Sequence, residues 1–161
     1  MVIIMNNTDE LMEAIKEKFM QDLLECFEEV FVDLARESMK SAIKSEVYAK
    51  YRPQGYRQYH RRKEQGGLID DRNIVVEVYR TNNGNIIGHV KNITTGAGKA
   101  YELVDVIESG IGYDWETSKI FKMQPYPRPF HENTIERIEA SRWQYHVRRL
   151  MNQRGWKTRV K

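Results

Sequence analysis

Asn73-Ile-Val-Val-Glu-Val-Tyr-Arg80, Thr81-Asn-Asn-Gly-Asn85 and Ile86-Ile-Gly-His-Val-Lys-Asn-Ile93, read in succession, decide the fold. Two runs rich in β-branched residues flank a short segment that carries Asn83-Gly84. Asn and Gly accept positive φ at low steric cost, so this order predicts a β-hairpin. Upstream the periodicity changes from two to about 3.6. No Pro or Gly interrupts residues 8 to 52, and Met12, Ile15, Phe19, Leu23, Phe27, Val30 and Leu34 recur at steps of three and four. Leu11, Met20, Leu24, Phe31 and Ala35 widen the stripe, so the helix is expected to touch two surfaces. Asn7 with Glu10 resembles a capping box. Some 35 to 40 helical residues make a rod of roughly 50 to 60 Å, longer than a domain of this size needs to cover itself.

Between helix and hairpin, residues 46–72 change character. From Val47 to Lys63, tyrosines alternate with bases, and Pro53 and Gly55 forbid a continuous helix, so an extended arm or loop is expected before the Gly66-Gly67-Leu68-Ile69-Asp70-Asp71 turn. Downstream, Ala100 to Ser109 reads as a short helix stopped by Gly110, with a strand as the rival assignment. Ser118 to Met123 is a candidate third strand. The proline-rich stretch 125–129 cannot be regular structure. Residues 131–153 then form a helix with Ile135, Ile138, Trp143, Val147, Leu150 and Met151 on its apolar side, followed by a basic tail that is mobile or held by a partner. The expected architecture is α+β in a single domain, 1–161: a long helix (8–45), a basic aromatic arm (46–72), a small antiparallel sheet region with a short middle helix (73–130) and a C-terminal helix (131–153) packed on the sheet.

The chain has 161 residues and a formal charge of +3, unevenly placed. Residues 1–39 carry −7, 40–65 carry +6, 66–130 carry −1 and 131–161 carry +5. Such asymmetry favours an acidic face packing on a neighbour's basic face, or a basic surface for nucleic acid. The one cysteine, Cys26, sits among Leu23, Leu24 and Phe27 and reads as a small apolar core residue. No apolar run reaches the roughly 18 residues of a membrane span.

Catalytic patterns fail one by one. His60, His89, His131 and His146 lack ligand spacing, and one cysteine cannot build a zinc cluster. Gly96-Ala97-Gly98-Lys99 is not a phosphate loop, because Ile93 stands where the first glycine belongs and Ala100 follows the lysine. No Gly-x-Ser-x-Gly elbow is present. An enzyme is unsupported, and no cofactor or metal is expected. The arm 48–63 is harder to dismiss: interleaved arginines and tyrosines can neutralise phosphates and stack on bases, yet the same side chains are enriched at protein interfaces. The acidic helix, a ready partner for the arm, tips the balance toward assembly.

The order of features is itself informative. A long first helix, Tyr51-x-Pro53-x-x-Tyr56-Arg57 running into Arg61-Arg62, Gly67-Leu68-Ile69-Asp70, a hairpin, Tyr101 to Gly110, and Arg128-Pro129-Phe130 before a last helix together resemble the head-tail joining, or tail-completion, family of long-tailed bacteriophages. The resemblance spans roughly residues 10–150. Here Glu108-Ser109-Gly110-Ile111-Gly112-Tyr113-Asp114-Trp115 replaces that family's tight Glu-Gly-Thr, so the loop departs from the family's conformation at 109–115, and Gly110 to Trp115 is where a partner its relatives lack is expected. The resemblance implies a structural virion protein of a phage or phage-tail-like particle, forming a ring at the neck that joins the head connector to the tail tube. It implies six or twelve copies, contacts with a head connector or stopper and with tail tube or tail terminator proteins, weak contact with DNA in the channel, and no membrane. The location implied is the virion neck or tail, after assembly in the bacterial host cytoplasm. Tyr51, Tyr56, Arg57, Arg61, Arg62, Tyr113, Trp115 and Arg128 are the expected interface residues, with Arg128 presented between two prolines and Phe130 inserted in the core. The rival reading is a nucleic-acid-binding module that uses 48–63 and the basic C-terminus.

Overall fold

A computed structural model describes residues 8–50, 64–96, 103–111 and 126–160. Helix α1 (Thr8–Ala42) runs for 35 residues, about 52 Å, and passes directly into a π-helical turn, Ile43–Tyr48, closed by the Ala49 N–H on the Lys44 carbonyl at 2.9 Å. Helical backbone thus persists to Tyr48, three residues into the expected arm. Strands β1 (Ile74–Arg80) and β2 (Ile86–Asn92) form a two-stranded antiparallel sheet. Helices α2 (Leu103–Ser109), α3 (Phe130–Ala140) and α4 (Trp143–Gln153) follow, so the fold is α+β with a long first helix, as expected. Among the described residues no helix is long and apolar enough to cross a membrane.

The hairpin turn follows its chemistry. The Gly84 N–H bonds the Thr81 carbonyl at 2.9 Å, Gly84 takes φ 81°, and the Thr81 N–H bonds the Asn85 carbonyl at 2.8 Å. With the Ile93 N–H on the Asn73 carbonyl at 2.8 Å, these bonds set a register that pairs Ile74 with Asn92, Val76 with Val90 and Val78 with Gly88. Those residues share the more buried face, whereas Glu77, Tyr79, Ile87 and His89 are exposed on the other.

The chain divides into two compact units. One draws on residues 33–77 and 89–141, and its core gathers Met39, Ala42, Ile43, Val47, Leu68, Ile69, Ile74, Val104, Ile107 and Phe130. The expected Gly67-Leu68-Ile69-Asp70 turn earns its shape here. Leu68 and Ile69 point inward, while the buried Asp70 carboxylate accepts from the Gly66 N–H at 2.6 Å and from the Arg72 N–H, Nε and Nη2 at 3.0, 3.0 and 2.6 Å. The Arg72 guanidinium and these N–H donors hold the Asp70 carboxyl far below the usual carboxylate range. Arg137 of α3 ties that helix to α1 and the π turn, donating to Ser41 Oγ at 3.0 Å and Ser45 Oγ at 3.3 Å.

The other unit draws on residues 1–32, 78–88 and 142–161. Phe27 stacks on Phe31 with ring centroids 5.0 Å apart and meets Trp143 edge-on at 5.1 Å. Phe31 lies against Gly88, where a Cβ would sit 2.5 Å from its ring. Burial on α1 starts only at Asp22 and then passes through Cys26, Phe27, Phe31, Ala35 and Met39. The buried stripe is therefore rotated from the one read in sequence, since Leu23, Val30 and Leu34 are half-buried.

One expectation is corrected. The C-terminal helix 131–153 is two helices, broken at Ser141-Arg142. The Ser141 N–H and Oγ both bond the Ile138 carbonyl, at 3.2 and 2.6 Å, which closes α3, and Arg142 then adopts φ 56°, ψ 36°, outside the right-handed helical region.

Candidate interaction surface

Of the expected interface residues, Tyr51, Tyr56, Arg57, Arg61, Arg62, Tyr113 and Trp115 lie outside the described residues, as do the third strand at 118–123 and most of the 109–115 loop. Arg128 is described, and it is tucked in rather than presented: 7% of it is exposed. Its N–H bonds the carbonyls of Ile107 at 3.1 Å and Glu108 at 3.3 Å, at the open end of α2, and its Nε donates to the Tyr126 carbonyl at 3.3 Å. The exchange is reciprocal. Glu108 Oε1 accepts the His131 N–H at 2.9 Å in the first turn of α3 and lies 2.9 Å from His131 Nδ1. Phe130, fully buried as expected, enters the core between these two bonds. The Arg-Pro-Phe segment thus joins α2 to α3. Its role in these contacts is architectural.

The second unit holds a site that the sequence reading missed. Asp22 on α1 is 4% exposed, and its carboxylate is surrounded by donors: Lys18 Nζ at 2.8 Å, Arg154 Nη1 at 3.0 Å and Trp156 Nε1 at 2.9 Å. The Lys18 hydrogen bond first, then those of Trp156 and Arg154, lower its pKa to about 2 against the opposing cost of burial. Arg154 Nη1 also meets Glu25 Oε2 at 2.5 Å, and the Trp156 ring stands edge-on to Phe19 at 5.1 Å. The C-terminal tail is therefore fastened to its own chain's acidic helix. Gly155 at φ 94° turns the backbone, and the Trp156 N–H closes on the Met151 carbonyl at 3.1 Å, so Arg154 and Trp156 both reach Asp22.

Beside this clasp lies an open groove of about 600 Å³. Ile15, Phe19, Met20 and Trp156 contribute its apolar lining. Its charged lining is internally compensated, Lys16 by Glu13 at 2.7 Å and Arg80 by Glu17 at 2.8 Å. Next to it Leu11 (44% exposed), Met12 (50%) and Ile15 (42%) stand open on the first turns of α1. An apolar floor with neutralised charges suits a hydrophobic side chain of a partner. Among the described residues no three His, Cys, Asp or Glu side chains converge as metal ligands. Cys26 is fully buried, and burial raises its thiol pKa, so it is a packing residue.

Two signals could have found the clasp in sequence: a tryptophan directly after a helix-stopping glycine, and an arginine just before it. Neither points to Asp22, 132 residues away from Arg154 along the chain.

No curated protein and no solved structure matches this chain. A family model described as YomN matches residues 7–153, which takes in all six helices and strands described above, and the protein therefore belongs to the YomN family of phage-derived proteins.

Proposed function

We propose that this chain is a non-enzymatic structural subunit of a tailed phage or phage-tail-like particle, and that it forms a ring at the neck joining the head connector to the tail tube. Phage origin supplies the setting. The observation that carries assembly is the apolar strip Leu11, Met12 and Ile15, exposed on the first turns of α1 at the groove. The neck position rests on the order of features that resembles the tail-completion family. In this reading six or twelve copies close head to tail, one face meets the head connector or stopper, and the other meets the tail tube or its terminator.

Inactivating the gene in its parent phage tests the reading. Electron microscopy of the lysate should show filled heads and free tails that remain unjoined, with joining restored when the protein is supplied. Intact, infectious particles without the protein would overturn it.

A further inference from the structure

Residues 141–161 contain seven basic side chains and no acidic one. Arg154 is committed to Asp22 and Glu25. The others include a face that no part of the described chain uses. Helix α4 buries Val147 and Met151 and turns outward Arg142, Tyr145, His146 and Arg149, which recur at steps of three and four and are all exposed. Arg142 and Arg149 stand about 10 Å apart along the helix axis. Between them Tyr145 is 51% exposed, with the Arg148 guanidinium 5.5 Å from its ring centroid. Arg148 Nε is buried and meets no acceptor among the described residues.

Arg142 adds a separate observation. It holds φ 56°, the left-handed region that glycine occupies without steric cost. The strained turn places this exposed arginine at the start of α4, on the same side as Tyr145, His146 and Arg149.

We propose that this face of α4 binds the phosphodiester backbone of a nucleic acid, without reading its sequence. Guanidinium groups match phosphate oxygens in bidentate fashion, and an exposed tyrosine offers a stacking surface to a base or sugar. Protein partners are the poorer match. Their interface rims carry charges of both signs, whereas this segment lacks carboxylates over its whole length. The face needs no ring, since a lone chain displays it equally.

Fluorescence anisotropy of the full chain with a labelled duplex of about 20 base pairs, titrated with salt from about 50 to 300 mM, tests it. Wild type should bind with an affinity that falls steeply with salt. Arg142→Gly with Arg149→Ala should weaken binding by about tenfold or more at 0.1 M salt and flatten the log–log slope by about 1.8, some 0.9 for each lost phosphate contact. Arg149→Ala alone, at an exposed position within the helix, should give about half the slope change, so the result does not hang on the Arg142 backbone. Lys44→Ala removes the same single charge as Arg149→Ala from an exposed position elsewhere and should leave the slope near wild type. Absence of wild-type binding at low salt, equal losses in Arg149→Ala and Lys44→Ala, or displacement of the duplex by polyglutamate as readily as by unlabelled duplex would each overturn the proposal.

Discussion

Asp22 shows how much one side chain can organise. Three donors from residues 18, 154 and 156 meet on its carboxylate. Its folded pKa of about 2 lies below the roughly 3.9 of an unfolded aspartate, so ionisation stabilises the fold fully above about pH 4, and that contribution is lost as pH falls toward 2. Asp22→Asn should therefore melt lower than wild type at neutral pH, with the gap closing between about pH 4 and pH 2 in thermal scans followed by circular dichroism. A gap that stays constant over that range would remove Asp22 as its source. Gly88 makes a second residue-scale case. A methyl there would sit 2.5 Å from the ring of Phe31, itself 7% exposed and stacked on Phe27, so the ring cannot simply swing away. Gly88→Ala should cost about 1 to 3 kcal/mol in denaturant unfolding. Neither role was legible in sequence. In sequence Asp22 is one acid among residues 1–39, a segment of net charge −7, and Gly88 is one glycine in a β-rich run, because the partners that define them come from distant parts of the chain.

Elements were more legible where local chemistry alone sets them. The hairpin follows from Asn83-Gly84, and α2 ends where Gly110 takes φ 69° and its N–H bonds the Val106 carbonyl at 3.0 Å. The break between α3 and α4 was hidden for the opposite reason: a lone serine, Ser141, is a weak stop signal and Arg142 none, and the left-handed φ at Arg142 has no counterpart in helix propensity. Helix α3 also depends on a contact that its sequence did announce. Phe130 is its first residue, is fully buried, and joins a core that includes Leu68, Ile74 and Ile107. Phe130→Ala should destabilise by about 3 to 5 kcal/mol, a drop in melting temperature of roughly 6 to 20 °C for a chain of this length. A loss below 1 kcal/mol would mean that α3 is held mainly by Arg137 and its serine partners instead.

At the scale of the whole molecule, charge and apolar exposure lead to different expectations. The acidic first 39 residues invited a basic partner, yet the structure shows Asp22 and Glu25 already met by Arg154 of the same chain. Opposite charge is thus partly consumed within the chain, so in the proposed ring the apolar strip on the first turns of α1 is the expected drive for association. Such a drive has a distinct signature in salt. Association through Leu11, Met12 and Ile15 should persist, or strengthen, as salt rises, whereas association through exposed charges weakens. Analytical ultracentrifugation from about 50 to 500 mM salt separates the two. Wild type should form species larger than the monomer at high concentration across that range, and Leu11→Gln with Met12→Gln and Ile15→Gln should return it to monomer. All three positions are more than 40% exposed, so that variant should melt close to wild type, and its loss of assembly can be read as loss of an interface. An oligomer that dissolves in salt and ignores the triple substitution would move the contact to the charged surfaces, and a monomer under every condition would leave assembly to the particle alone.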